Sequence, residues 1–379
     1  MPDLVALSVP PGPGFVRHVL AAWDAGDAVA PVNPGLPAKA LSDLLDDLAP
    51  ARWITETGTV SRDHARPVAT GDALVIATSG TTGRPKGVIL THEAVRYAAR
   101  ITSSALTVDP GSDRWLACLP FFHIGGLSVW IRGHVTGTPI SILPGFDATA
   151  VMQEAHKGAT LVSLVPTTLG RIDPSEFRKI LLGGGRMPSV RAANTVATYG
   201  LTESGGGVVY EGRPLSGIAV RVVDGIVHLQ GPTLARAYRD DSPMLDGDWL
   251  VTGDRGELDA SGMLTVLGRA DDLITTGGET ISPEPIEERL RSHASIADVA
   301  VVGIPDEEWG EVVTAVVVPV DGSHIPELAE LRALVKETRP DFEAPHRLIV
   351  IDELPRAGLG KLARSVLKLQ IAGDAEADR

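Results

Sequence analysis

The chain has 379 residues, 44% of them hydrophobic and 22% charged, with a formal net charge of −14 at pH 7. That length and apolar content are enough for two domains with substantial cores. The acidic balance argues against nonspecific nucleic-acid binding, since a phosphate backbone rewards clustered lysine and arginine. The single cysteine, Cys118, excludes a disulfide within the chain and fits a reducing compartment. It sits in the apolar run Trp115-Leu116-Ala117-Cys118-Leu119 and reads as a core residue rather than a nucleophile. Neither a signal-peptide pattern at the N-terminus nor an apolar segment long enough to span a bilayer is found, so a soluble, cytoplasmic protein is expected.

In chain order, Val16 to Asp24 is predicted as a helix, Ala28–Val32 as a strand and Pro37 to Leu48 as a second helix. Ala73–Ala77 reads as a buried strand, and residues 92–106 as a helix. Apolar strands follow at Trp115–Leu119, Pro139–Leu143, Thr160–Val165, Ile180–Leu182 and Thr195–Thr198. Strands alternating with helices imply a largely parallel sheet with ligands at the carboxyl ends of its strands. After Gly212 the pattern changes to short alternating strands with Asp-Gly or Ser-Gly turns at Ile218–Val223, Ile226–Leu229 and Gly256–Leu267, a β-rich subdomain. Beyond Asp271 a compact α/β segment is predicted, with helices at 284–293 and 325–338 and strands at 299–302, 312–318 and 347–351. The fold class is therefore α/β: a large N-terminal domain (1–270) of parallel α/β sheets plus a β-rich subdomain, then a small α+β C-terminal domain (271–379).

The densest chemistry lies in Thr78-Ser79-Gly80-Thr81-Thr82-Gly83-Arg84-Pro85-Lys86-Gly87, launched from a predicted strand. Its three glycines let the backbone turn tightly and approach a ligand. Hydroxyls, backbone N–H groups and two cations suit a polyphosphate. It is not a Walker loop, because Gly87 stands where the magnesium-binding Ser/Thr is required. Other loops follow predicted strands: Gly183-Gly184-Gly185, Tyr199-Gly200-Leu201-Thr202-Glu203, Thr252-Gly253-Asp254, and His123 between two aromatics and two glycines. Taken alone, Glu203 reads equally as a surface acid, Asp254 as a turn cap and His123 as a structural histidine. Gly277-Gly278 is too costly in backbone entropy for an ordinary strand. Near the C-terminus, Pro355-Arg356-Ala357-Gly358-Leu359-Gly360-Lys361 is a flexible loop able to deliver a lysine into a distant cleft.

These motifs, in this order, resemble those of the adenylate-forming superfamily of acyl-CoA synthetases, adenylation domains and luciferases. The resemblance implies an AMP-forming acid–thiol ligase using ATP, Mg2+ and CoA. It assigns Thr78, Ser79, Gly80, Thr81, Thr82, Gly83 and Lys86 to the β- and γ-phosphates, Thr202 to the α-phosphate and Glu203 to Mg2+. Tyr199 and Gly200 border the adenine, Asp254 and Arg269 hold the ribose side, and Gly183 and Gly184 line the adenine and acyl substrate. His123 is placed as a gate beside the acyl pocket, Gly277 and Gly278 at the pantetheine tunnel, and Lys361 as the catalytic lysine. Asp271 is the hinge of a mobile small domain. The reduced N-terminal segment and overall likeness point to the short actinobacterial o-succinylbenzoate–CoA ligase branch, which acts in menaquinone biosynthesis. The acid retained by such a substrate needs a buried cation, for which Arg132 and Arg186 are candidates and equally readable as surface arginines. Other aryl or fatty acids, a carrier protein as acceptor, and a homodimer are left open; a nucleotide-binding regulator without turnover would not need Lys361 and Glu203 together.

Overall fold

The computed structural model describes residues 1–78, 86–185, 187–188, 190–320, 325–357 and 361–377; for Thr280, Ala357, Lys361 and 372–377 the description extends only to the backbone. The first sheet has seven strands in the order Ala237–Tyr238, Lys86–Thr91, Asp72–Thr78, Ala28–Pro31, Leu4–Ser8, Arg52–Thr55 and Gly58–Ser61. Its centre is parallel, with Leu4–Ser8 between Ala28–Pro31 and Arg52–Thr55. Its edges are antiparallel: Asp72–Thr78 pairs with Lys86–Thr91, and that strand with Ala237–Tyr238. A second sheet of seven strands runs Arg213–Pro214, Gly206–Tyr210, Thr195–Leu201, Lys179–Leu182, Leu161–Leu164, Trp115–Ala117, Ile140–Ile142. Its last five strands are mutually parallel.

Strand periodicity builds the layers. Leu74 and Ile76 enter a central core, whereas the intervening Val75 joins Leu44, Leu45 and Leu48 of helix Ala38–Leu48. Likewise Trp115 and Ala117 face the central core, while Leu116 and Cys118 pack against Val151 and Ala155 of helix Ala148–His156. Helices His92–Ala105 and Ile124–Thr136 contribute Val95, Ala99, Leu127 and Ile131 to that same central core. The first starts at Thr91, whose side chain accepts from Ala94 N at 3.1 Å; such a cap stabilises a helix by about 1 kcal/mol. The second stops at Gly137, which takes φ +72°. Each fully buried leucine here contributes about 2 kcal/mol relative to exposure.

The α/β expectation holds, with instructive differences. A strand, Lys86–Thr91, separates the glycine loop from the helix, so the loop joins two antiparallel strands; its Val-Ile-Leu run carries the β-pattern. Thr252-Gly253-Asp254 is no turn but the middle of the strand Trp249–Leu258. Leu4–Ser8 and Arg52–Thr55 add two strands to the front end. Cys118 is buried, and burial pushes its thiol up to about 12, which leaves it no nucleophile.

Contacts divide the chain into two units: Met1–Arg221, His228–Thr252 and Leu258–Leu264 form one, and Val222–Val227, Gly253–Glu257 and Thr265–Arg379 the other. A five-stranded sheet is built from Ala219–Val223, Ile226–Gln230, Trp249–Leu258 and Leu245–Asp246, with Leu264–Arg269 beside Trp249–Leu258. In the second unit, Glu279–Ile281, Ile274–Thr276, Gly310–Pro319, Ile296–Asp306 and Arg347–Val350 form another sheet. Val299, Val301, Val313 and Val317 pack on one of its faces with Ile286, Leu290, Leu331 and Val335; Ala300, Val302 and Val316 pack on the other with Leu367 and Ile371. Among the described residues no helix is long and apolar enough to cross a membrane.

Candidate functional site

Ser79, Gly80, Thr81, Thr82, Gly83 and Arg186 lie outside the described residues. The flanks of the glycine loop are fixed nonetheless. Thr78 and Lys86 are the last register pair of their hairpin, and Thr78 Oγ1 donates to Lys86 O at 3.3 Å. Gly87 is mandatory: a Cβ there would lie 2.9 Å from Arg239 Cβ, Leu48 Cδ2 and Val75 Cγ1. The Lys86 ammonium donates to Ser242 Oγ at 3.2 Å and lies 4.7 Å from the centre of the Tyr238 ring. Tyr238 in turn donates through its hydroxyl to Glu203 Oε1 at 2.9 Å. One aromatic side chain thus ties the loop's lysine to the carboxylate of a motif far along the chain.

Glu203 sits in the short 3-10 turn Thr202–Ser204. Ser204 is fully buried and fixes the turn, its Oγ accepting from Leu201 N at 2.8 Å, and Ala235 N donates to Glu203 O at 2.7 Å. Gly200 allows the chain to reach this turn, because a Cβ there would stand 2.0 Å from Gly206 O. The register of Thr195–Leu201 against Gly206–Tyr210 shifts between Tyr199 and Gly200, a bulge that re-aims Tyr199. Next to it, Gly183 follows Lys179–Leu182, and a Cβ at 183 would meet Thr198 Oγ1 at 2.6 Å; Gly184 takes φ +77°. His123 caps the start of Ile124–Thr136, with its ring 4.6 Å from that of Phe122. Burial lowers its pKa, which keeps the imidazole neutral near pH 7. The strands Trp115–Ala117, Lys179–Leu182 and Thr195–Leu201 belong to one parallel set, with Leu161–Leu164 between the first two, so His123 and Gly183 follow their carboxyl ends, while Tyr199 lies within the last strand rather than on a loop beyond it.

Arg132 is buried, 7% exposed, not on the surface. Its guanidinium donates to Ser163 Oγ at 3.0 Å and Ser128 Oγ at 2.9 Å, and its Cζ lies 5.0 Å from the centre of the Trp115 ring. Among the described residues no carboxylate pairs with it. Burial pulls its pKa down. A buried cation held by hydroxyls and an aromatic face costs several kcal/mol unless an anion joins it.

In the second unit Asp254 is buried and pairs with Arg269, whose Nη1 donates to Asp254 Oδ1 at 3.3 Å and Nη2 to Asp271 Oδ2 at 3.4 Å. Burial works against the charged Arg269, but Asp254 and Asp271 outweigh it and raise its pKa. Gly277 (φ +54°) and Gly278 (φ +86°) make the turn between Ile274–Thr276 and Glu279–Ile281. Gly277 N donates to Trp309 O at 2.9 Å, and a Cβ at 277 would touch the Trp309 ring at 3.1 Å. Lys361 lies in the two-residue strand Lys361–Leu362, paired with Arg356–Ala357; Gly358, Leu359 and Gly360 lie outside the described residues.

Sequence reasoning missed Tyr238 and Trp309. Tyr238 reads as one apolar residue of a short strand, and its meaning depends on a contact 35 residues away. Trp309 carried a signal, a 41% exposed tryptophan beside a glycine pair, that is visible only once burial is known. Among the described residues no group of three or more His, Cys, Asp or Glu could cage a metal. Mg2+ can be held by one or two carboxylates plus substrate phosphates, a donor set to which a single carboxylate such as that of Glu203 can contribute; one Glu203 oxygen accepts from the Tyr238 hydroxyl.

The model of the AMP-binding enzyme family matches residues 61–238, and that of the AMP-binding enzyme C-terminal domain matches 285–361. A relative from Mycobacterium tuberculosis (strain CDC 1551 / Oshkosh), named "Probable 2-succinylbenzoate–CoA ligase", is 39% identical over 331 residues, which is 80% of this chain and 86% of that protein. The o-succinylbenzoate CoA synthetase (MenE) of Bacillus subtilis, solved in complex with the acyl-adenylate intermediate OSB-AMP, superimposes with a TM-score of 0.87 at 27% identity, covering 97% of this chain and 88% of that one. The same Bacillus subtilis enzyme in complex with ATP and magnesium ion gives 0.84 at 28% identity, covering 97% and 89%. With two family models in order and a relative at this identity across most of both chains, the chain belongs to the AMP-binding enzyme family.

Proposed function

We propose that this chain is an AMP-forming 2-succinylbenzoate–CoA ligase acting in the cytoplasm, with a large domain over 1–270 and a small domain over 271–379 hinged at Asp271. A carboxylate is a poor electrophile, and adenylation gives it a good leaving group. The substrate carboxylate attacks the α-phosphorus of ATP and pyrophosphate departs along the Thr78–Gly87 loop. Lys86 neutralises the departing phosphates, Thr202 holds the α-phosphate, and the Glu203 carboxylate holds Mg2+, which supplies charge neutralisation to the phosphates when bound. Lys361 bridges the attacking oxygen and the α-phosphate, where charge develops. Tyr199, Gly183 and Gly184 bound the adenine and acyl group, Asp254 and Arg269 hold the ribose, and neutral His123 gates the acyl pocket. In the second step Gly277-Gly278 brings the CoA thiol to the acyl carbon, and AMP leaves. No nucleophilic side chain is needed.

The observation carrying the acid's identity, beyond the relatives' names, is Arg132, a buried guanidinium without a carboxylate partner among the described residues. A dicarboxylate activated at one end leaves one anion to be received, and Arg132 has the charge and the desolvation to receive it. The test is AMP and pyrophosphate release with a panel of aryl and fatty acids, followed by thioester formation with CoA or a phosphopantetheinylated carrier protein. Turnover is expected with 2-succinylbenzoate and CoA. ADP as product, or preference for a monocarboxylate, rejects the reading.

A further inference from the structure

Arg364 stands three residues after Lys361, at the start of helix Arg364–Ala377, and centres a partly buried ion cluster inside the second unit. Its Nη2 donates to Glu287 Oε1 at 2.6 Å and its Nη1 to Asp272 Oδ2 at 3.2 Å, with Glu284 Oε1 3.7 Å away. The Arg364 side chain is 11% exposed and that of Glu287 4%. A cation at a helix N-terminus opposes the helix dipole, so these acids, not the helix, hold it there. Its Nε is buried without a hydrogen-bond partner among the described residues. Glu287 also accepts from Val301 N at 2.9 Å and faces Arg291 at 3.4 Å.

The acids come from two places. Glu284 and Glu287 lie one turn apart on helix Pro283–Arg291, and Asp272 ends the turn Ala270–Asp272. The approach to that turn is held as well: a Cβ on Gly268 would stand 3.0 Å from Glu284 Oε1, and Arg269 reaches Asp271 at 3.4 Å. On the other side, the hairpin carrying Lys361 is closed by the pairing of Arg356 with Leu362 and by Ala363 N donating to Pro355 O at 2.9 Å. Arg364 is therefore the next residue after a closed hairpin and the direct partner of the residue after Asp271. A partly buried ion cluster gives little net stability against apolar packing. Its effect is to fix geometry.

We propose that Arg364 is a positioning residue for adenylation: it fastens the Lys361 hairpin to Asp272, the residue after Asp271, so that the hairpin and the small-domain side of the hinge move as one body. The inference rests on Lys361 as catalytic lysine and Asp271 as hinge. Loosening the fastening leaves the lysine present but imprecisely delivered, which lowers the rate of the step that uses it without weakening ATP binding.

The experiment measures the two half-reactions separately in the full chain: pyrophosphate release from ATP and acid, and thioester formation from presynthesised acyl-adenylate and CoA. Arg364→Met is expected to lower kcat of the first about 30-fold with KM for ATP within about twofold, since small misplacement of a reacting group is costly. The second half-reaction should stay within about twofold, and Arg364→Lys, which keeps the charge but not the fork, should recover part of the loss. If Arg364→Met does not fold, Asp272→Asn keeps volume and removes one partner charge; about fivefold lower kcat in adenylation alone is expected. Equal losses in both half-reactions mark a merely structural role and overturn the inference, as does unchanged adenylation in a folded Arg364→Met or Asp272→Asn. Lys361→Ala run in parallel separates the failures. Adenylation lost there but intact in Arg364→Met overturns the positioning role alone, whereas adenylation retained in Lys361→Ala overturns the reading beneath it.

Discussion

Tyr238 donates its hydroxyl to Glu203 Oε1 at 2.9 Å, while the Lys86 ammonium lies 4.7 Å from the centre of the same ring. The phosphate-loop lysine and the proposed magnesium carboxylate are thereby set by one side chain. Tyr238→Phe keeps the ring under Lys86 and frees Glu203. A hydrogen bond to a carboxylate contributes about 1.5–3 kcal/mol, so kcat/KM for pyrophosphate release is expected to fall about tenfold or more, with a raised Mg2+ requirement. An unchanged Mg2+ titration would show that Glu203 needs no such orientation.

Arg132 makes opposite predictions for stability and for binding. Arg132→Met removes a buried cation whose partners are two hydroxyls and the Trp115 ring, with no carboxylate among the described residues, so thermal stability is expected to hold or rise. The apparent KM for the dicarboxylate is expected to rise about tenfold or more, with that for ATP unchanged. Differential scanning calorimetry and steady-state kinetics read the two halves; a parallel rise in KM for ATP counts against the assignment.

Two glycines that look alike in sequence should respond differently to alanine. At Gly200 a Cβ would stand 2.0 Å from Gly206 O, whereas at Gly125, in the first turn of a helix, nothing lies within 4 Å. Gly200→Ala is expected to cost about 3 kcal/mol or more, as overpacking against backbone does. Gly125→Ala is expected to stabilise by about 0.5–1 kcal/mol. Urea unfolding of both variants decides.

Acid should destabilise the fold through its histidines. Burial lowers the pKa of His92, His123, His228 and His346, with Arg96, Arg221 and Arg332 adding to the shift at His92, His228 and His346 respectively. A folded pKa below the ordinary 6.5 means the unfolded chain binds more protons in that window. The contribution is therefore full above pH 6.5 and is lost as pH falls below it. Denaturation midpoints are expected to drop between about pH 7.5 and pH 5.5, and His123→Asn should flatten the slope.

Gly277 is pinned under Trp309. Gly277→Ala places a methyl 3.1 Å from that ring on a backbone at φ +54°. If this turn borders the thiol's path, KM for CoA should rise about tenfold while pyrophosphate release is unchanged. Loss of pyrophosphate release instead would place the turn in the first step.

Local residue chemistry made much of this protein legible. The Thr78–Gly87 loop, Gly183-Gly184, Tyr199–Glu203 and Gly277-Gly278 are recognisable because glycine, hydroxyl and charge requirements act within a few residues. Apolar periodicity likewise gave the strands around Leu74, Leu116 and Ile180. It did not give the strand Lys86–Thr91, since a short β-branched run between a loop and a helix has no period of its own.

What the sequence alone determined was the inventory: the motifs, their order and the strand–helix alternation. Only the tertiary structure decided that Arg132 is buried rather than exposed, that Asp254 belongs to a strand and faces Arg269, and that Tyr238 serves Glu203. It likewise decided that Arg364 meets Asp272 across 92 residues. The reason is physical. A local motif is specified by the conformational limits of adjacent residues, whereas burial and ion pairing depend on which distant surfaces the packed core brings together.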